Sequence, residues 1–200
     1  MAQGFTLWFT GRSAPGIAGL TARVEEALLE RGLNVERLDE EEVRATWFPG
    51  LGCDLAEEEG LTRFVGHICH LLTRNGVIAV AAAVSPSREL RNEMRSLIGS
   101  FAEVSVNSPP EGSDAQGIAG SPGTAGPPEQ PGPCGAPRPY EEPVNPEILV
   151  ETGREDPEKS VQKVLRTLEL LEWIPRVGRS DYSEEEEATI TQRLKDLGYI

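Results

Sequence analysis

The chain is short of positive charge: 19 Lys and Arg stand against 33 Asp and Glu, a formal net charge of -14. A field of that sign repels phosphate backbones and anionic lipid surfaces, so nucleic acid and membranes are not expected partners. No apolar run approaches the roughly 20 residues that cross a bilayer. The first residues also run straight into a strand, without the basic-then-apolar pattern of a secretion signal, which makes the cytoplasm the expected compartment. Cysteine is scarce, and Cys53, Cys69 and Cys134 are too widely spaced for a disulfide framework, so reduced thiols are expected. At 200 residues there is room for one domain with one substantial core and some segments outside it, and not for two large domains.

What is present alternates between strand and helix patterns. Gly4 to Thr10 reads as a buried strand, Ala18 to Arg31 as a helix with Leu20, Val24, Ala27 and Leu28 at helical spacing, and Leu33 to Leu38 as a second strand before the acidic run Asp39 to Glu42. Helical periodicity returns from Leu61 to Asn75 and ends at Gly76. The run VIAVAAAV, Val77 to Val84, is apolar on both faces, as a central strand of a parallel sheet covered by helices should be. Ser87 to Gly99 reads as helix and Phe101 to Val106 as the next strand. The expected fold is therefore α/β, a doubly wound parallel sheet flanked by helices.

Between Ser108 and Pro139 half of the residues are Gly or Pro, a composition that cannot bury enough surface to offset its ordering entropy, so a disordered segment is expected there. Asp156 and Pro157 form a helix start, N-cap then first-turn proline, leading through Val161, Val164, Leu165, Leu168 and Leu171 to Trp173. A last helix is signalled by a Ser183/Glu186 capping box and the stripe Ile190, Leu194, Leu197. The expected organisation is a core at 1–107, the Gly/Pro-rich segment at 108–139, the C-terminal part of the core at 140–174 and a helical appendage at 175–200.

The first strand runs into a loop with Gly11 and Gly16 and then into a helix, which is the outline of a phosphate-binding loop. The working pattern G-x-x-x-x-G-K-[ST] supplies a lysine to the outer phosphates and a hydroxyl to magnesium. Here those two positions are Ile17 and Ala18, which supply neither cation nor oxygen ligand. Pro15 also lacks an N–H that would meet phosphate.

Four separated blocks, GFTLWFTG at 4–11, LLTRNGVIAVAAAVSPSR at 71–88, IGSFAEVSVN at 98–107 and PYEEPVNPE at 139–147, resemble adenylylsulfate kinase in order and spacing over most of residues 4–173. The resemblance implies a P-loop NTPase-like fold and, for a working member, MgATP-dependent phosphorylation of the 3'-hydroxyl of adenylylsulfate. Gly11, Ser13 and Gly16 keep turn residues of the family's GLSGAGKS loop, and Arg12 departs from it. Leu38 to Arg44 corresponds to the LDGD-x-VR segment, with Asp39 and Arg44 kept and Glu41 in place of the second aspartate. Glu58 and Leu61 stand where a DR-x-EN pattern carries an arginine and an asparagine for substrate, and an acid facing an anionic substrate is a repulsive element. Arg63, Ser85, Pro86 and Arg88 are kept, with Ser87 in place of an aromatic. The KGLY and GFTG elements of the family's lid are missing between Asn107 and Tyr140.

The candidate residues are thus Asp39, Glu41 and Ser85 for catalysis, Gly11, Arg12, Ser13 and Gly16 for a phosphate-loop remnant, and Arg44, Arg63, Ser85 and Arg88 for a substrate remnant. Each has a plainer reading: a tight strand-to-helix turn, a solvated acidic loop, turn chemistry before proline, and ion-paired arginines. His67, Cys69 and His70 share a helix face but lack the further ligands of a zinc site, so core packing is expected and no metal. The resemblance with these losses implies an impaired kinase, a pseudoenzyme that serves as a nucleotide- or adenylylsulfate-sensing or regulatory module in sulfate metabolism, with no cofactor assigned to it. The alternatives are an active kinase that uses MgATP and holds phosphate through Arg12 and the backbone, and an interaction scaffold without ligand. A homodimer, or a protein partner at the C-terminal helix, is a possible assembly.

Overall fold

The elements run β1 (Thr6–Gly11), α1 (Ala14–Glu30), β2 (Val35–Asp39), α2 (Glu40–Trp47), α3 (Leu55–Arg74), β3 (Ile78–Ala82), α4 (Arg88–Ile98), β4 (Phe101–Asn107), β5 (Ile148–Glu151), α5 (Pro157–Leu170) and α6 (Glu184–Asp196). They belong to a computed structural model that describes residues 4–12, 14–52, 54–107, 140–152, 154–176 and 184–199. The segment expected to be disordered, 108–139, lies outside the described residues, as do Ser13, Cys53, Cys134 and Ser183.

All pairings are parallel, in the order β2-β3-β1-β4-β5. From β1 the chain travels outward to β2 on one side, then returns through β3 and crosses to β4 and β5 on the other, which is the doubly wound arrangement. Side chains of the central strands divide between two cores. Leu7 and Phe9 of β1 and Ile78, Val80 and Ala82 of β3 join α1 and α5 through Val24, Leu28, Val164 and Leu168. Trp8, Ala79 and Ala81 join α3 and α4 through Val65, Cys69, Leu90 and Met94. Burial on both faces explains why VIAVAAAV shows no alternation. Small alanines on the second face let α3 and α4 approach closely, and Gly66 of α3 lies where any side chain would collide with the Met94 sulfur.

Two helices start earlier than the sequence periodicity indicates. α3 begins at Leu55 because Asp54 and Glu57 form a reciprocal capping box, Asp54 accepting from the Glu57 N–H at 2.9 Å. α1 begins at Ala14 rather than Ala18. A proline at the second helical position has the φ of a first turn and no amide there to waste, so Ala14-Pro15 opens the helix instead of prolonging the loop. β5 is a four-residue strand without its own periodic signal; it is fixed by pairing Ile148 with Val104 of β4.

The end of the chain lies against the domain. Leu194 of α6 is fully buried, and the Tyr199 ring stands edge-on to Trp173 with centroids 6.4 Å apart.

Candidate functional site

The C-terminal ends of β2 and β3 and the start of α1 open onto a cavity of about 330 Å³ lined by Ile17, Ala18, Asp39, Glu40, Glu41, Ala82, Ala83 and Val84. This is the edge at which open parallel sheets bind ligands. The strand-to-helix link is very short, since β1 ends at Gly11 and α1 starts at Ala14. Gly11 is required by packing: a Cβ there would strike the Val106 carbonyl of β4. Gly16 lies in the first turns of α1. Ile17 is 1% exposed and belongs to the core, while Ala18 is half-buried on the cavity wall. Where the working loop offers an ammonium and a hydroxyl, this wall offers methyl groups.

The acidic run is divided in its duties. Asp39 caps α2, accepting from the N–H groups of Glu41 at 3.0 Å and Glu42 at 3.4 Å, and pairs with Arg37 at 3.3 Å. Glu41 is exposed at the rim. Glu40 turns inward, where the buried Thr62 hydroxyl of α3 donates to its Oε1 at 2.5 Å. Burial pushes the Glu40 carboxyl up to about 7, against the opposing pull of the Thr62 hydrogen bond and the Arg44 charge. Sequence reasoning singles out Asp39 and Glu41 and takes Glu40 only as part of the acidic run, because only the tertiary contacts with α3 and the exit of β3 distinguish it from its neighbours.

Ser85 follows β3 in the left-handed region, φ 44°, and is fully buried. Its hydroxyl accepts from the Trp8 indole N–H at 3.2 Å, and its carbonyl accepts from Arg91 at 2.5 Å. The serine side chain thus faces the second core rather than the cavity. A strained, non-glycine position at a strand end is the kind of backbone feature that gathers at ligand sites, and here Arg91 holds it in place.

Among the described residues no shared partner joins Arg44, Arg63 and Arg88. Arg44 donates to the Gly52 carbonyl at 2.9 Å and pairs with the buried Glu58 at 3.8 Å. Glu58, expected from sequence to repel an anionic substrate, is therefore facing an arginine of its own chain. Arg63 bridges α3 to α4, meeting Glu93 at 3.0 Å and Glu59 at 3.3 Å. Arg88 donates from its amide to Glu141 at 2.9 Å and from Nε to the Glu142 carbonyl at 2.6 Å. Arg12 lies over the Tyr140 ring, 5.6 Å from its centroid, and 3.4 Å from Glu142. The Tyr140 hydroxyl in turn meets Thr10 Oγ1 at 3.0 Å, and burial raises its pKa. The segment after residue 139 thus meets the phosphate-loop remnant through an aromatic ring near two guanidinium groups, Arg91 standing 5.4 Å from the same centroid.

A second group of charges lies beneath β4. Arg91 Nε donates to Glu103 at 2.7 Å with both side chains almost fully buried. Arg95 grips Glu147 through two nitrogens at 2.6 and 2.9 Å, and Glu147 also accepts from the Glu103 amide at 2.6 Å. The Tyr199 hydroxyl adds a bond to Glu147 at 2.7 Å. Burial disfavours the Arg95 charge, yet the bond and charge of Glu147 hold its pKa above the ordinary arginine value. An acid inside the apolar run FAEVSVN was the one sequence signal for this cluster.

Among the described residues no group of three His, Cys, Asp or Glu is placed to hold a metal ion. His67 Nδ1 contacts the Arg63 carbonyl at 2.8 Å, and burial pushes the Cys69 thiol up to about 12, which makes it a core residue and not a nucleophile. Among the same residues no helix is long and apolar enough to cross a membrane.

The arrangement of a short strand-to-helix turn at the centre of a 2-3-1-4-5 parallel sheet agrees with what the chain is similar to. The family model of adenylylsulphate kinase matches residues 3–151. The chain belongs to the adenylylsulfate kinase family. It is 39% identical over 172 residues to the adenylyl-sulfate kinase of Picosynechococcus sp., covering 86% of this chain and 97% of that relative. Among solved structures, the APS kinase of Mycobacterium tuberculosis in complex with AMPPNP and APS matches with a TM-score of 0.67 and 25% identity, over 84% of this chain and 99% of that one. The hexameric APS kinase of Thiobacillus denitrificans matches with a TM-score of 0.67 and 28% identity, over 88% of this chain and 31% of that one. The adenylylsulfate-kinase similarity thus runs through the core and the segment after the Gly/Pro-rich stretch alike.

Proposed function

We propose that this adenylylsulfate kinase family member binds a nucleotide of the adenylylsulfate class at the C-terminal edge of its sheet and is impaired in phosphoryl transfer, serving as a binding or regulatory module in sulfate metabolism. The observation that carries the reading is the pair Ile17 and Ala18. Phosphoryl transfer depends almost wholly on positioning and on neutralising charge that spreads over the transferred group. Ile17 is committed to the core and Ala18 offers no oxygen, so the donor set of the turn does not fit magnesium and supplies no cation to the outer phosphates. Arg12, the candidate substitute in the loop, is engaged with Tyr140 and Glu142.

A second reading is favoured by a different observation. The likeness to proteins named adenylyl-sulfate kinase extends over 86% of this chain and 97% of the Picosynechococcus relative, which suits an active, MgATP-dependent kinase at least as well. In that case Arg12 leaves Tyr140 to reach the phosphates. The hexameric Thiobacillus denitrificans relative also supports self-assembly of this chain.

One assay separates the readings. Purified protein is given MgATP and adenylylsulfate, and formation of the 3'-phosphorylated product is followed. The impaired reading expects turnover far below the roughly 1–100 per second of ordinary kinases. A rate inside that range overturns it and establishes the active kinase.

A further inference from the structure

We propose that a phosphate- or sulfate-bearing ligand enters the cavity at the ends of β2 and β3 and the start of α1 only together with a proton on Glu40, which makes this residue the determinant of when the site accepts an anion. The inference rests on the reading that this edge holds a nucleotide of the adenylylsulfate class, and it adds the condition under which it does so.

The geometry comes first. The same cavity is lined by Ile17 and Ala18, where the phosphate end of a nucleotide meets a working loop, and by Glu40. Position 40 is a glycine in the LDGD-x-VR pattern, so the inward carboxyl is a feature of this chain. It is fixed in place by the Thr62 hydroxyl from α3 and by the backbone at Val84, where the chain leaves β3. An ionised carboxylate lining the cavity that takes a phosphate is a repulsive element; a protonated one is a hydrogen-bond donor to the same oxygen.

The surroundings make Glu40 the group that changes charge. On β2, Asp39 is occupied by Arg37 and by the α2 N–H groups. On α2, Arg44 is shared with Glu58 of α3, and Glu41 and Glu42 are exposed, Glu42 lying 3.8 Å from Arg37. α3 presents a neutral hydroxyl to Glu40, while α1 and the exit of β3 present apolar side chains. Burial pushes the Glu40 carboxyl up to about 7, and of the acids on this wall it is the one whose carboxyl accepts from the α3 hydroxyl.

The test is calorimetric titration of the full chain with adenylylsulfate from pH 6 to 8.5. This probe lacks a terminal phosphate, whose second ionisation near pH 6 would confuse the result. Uncharged adenosine serves as control. Repeating the titration in buffers of different ionisation heat reads the protons taken up. For the natural protein the expected result is an affinity that weakens about tenfold per pH unit above 7, with uptake of about one proton at pH 8. Glu40→Gln is expected to bind at pH 8.5 as it does at pH 6, with no uptake. Binding by Glu40→Gln at pH 8.5 where the natural protein shows none also supports the proposal. A flat pH profile with no proton uptake, or a slope that survives in Glu40→Gln, overturns it while leaving the nucleotide reading intact. Absence of binding by both proteins at every pH overturns both.

Discussion

Two sets of inward-facing carboxylates in this molecule are treated in opposite ways. Beneath β4, Glu103 and Glu147 meet guanidinium groups at 2.6–2.7 Å and collect further donors from a backbone amide and a tyrosine. At the strand ends Glu40 has a hydroxyl, a backbone contact and the through-space pull of Arg44, and its carboxyl rises to about 7. Desolvation acts on both; only the first has hydrogen-bonded cations to answer it. The lesson is that this chain uses its carboxylates as structural anchors on one side of β1 and leaves a titratable one on the other, at the edge where open parallel sheets bind ligands.

Breaking the anchored side gives the largest expected effect. Glu147→Ala leaves the Glu103 amide without its acceptor and Arg95 with longer contacts, among them Glu103 at 3.5 Å and the Phe101 carbonyl at 3.4 Å, and a loss of ~3 kcal/mol in denaturant unfolding is expected. A loss under ~1 kcal/mol removes the contrast between the two regions.

Relieving the titratable side gives a smaller effect of opposite sign. The Glu40 carboxyl is raised from 4.5 unfolded to about 7 folded, so the folded state holds a proton that the unfolded chain releases between those values. Its contribution to stability is full below about pH 4.5 and is lost as the pH rises through about 7. Glu40→Gln keeps an acceptor for Thr62 and carries no charge. It is expected to be more stable than the natural protein by ~1–3 kcal/mol at pH 8 and to show no gain near pH 4. Equal stability at pH 8 contradicts the assignment.

The smallest effect sharpens the comparison at its periphery. Tyr199→Phe removes one donor from Glu147 while Arg95 stays in place, and a loss of ~1 kcal/mol in thermal or denaturant unfolding is expected. A loss as large as that of Glu147→Ala assigns the anchor to the tyrosine instead.

Much of the architecture was legible because two kinds of signal are local. A run such as VIAVAAAV declares burial on both faces, and Asp156-Pro157 declares a helix start, since both depend on neighbouring residues alone. The starts of α1 and α3 were equally available, in Ala14-Pro15 and in Asp54 with Glu57, but periodicity of apolar side chains pointed further along the chain. β5 was not legible: four residues with one partner strand acquire their conformation from Val104 to Asn107. At the site, the missing lysine and hydroxyl were plain from residue types, while the inward turn of Glu40, the Trp8 bond to Ser85 and the dispersal of Arg44, Arg63 and Arg88 depend on residues far away in sequence. Ser13 of the loop remnant lies outside the described residues.

The central place of β1 also governs how the protein is made. Its strand neighbours pair with Thr6 through Ala79 and Phe101, so a ribosome has released the whole first strand long before either flank exists. Until then Phe5, Leu7, Trp8 and Phe9 travel as a naked apolar ribbon, the form of nascent chain that chaperones capture and that clumps when they do not. Any truncated product ending short of Phe101 is accordingly an aggregation hazard.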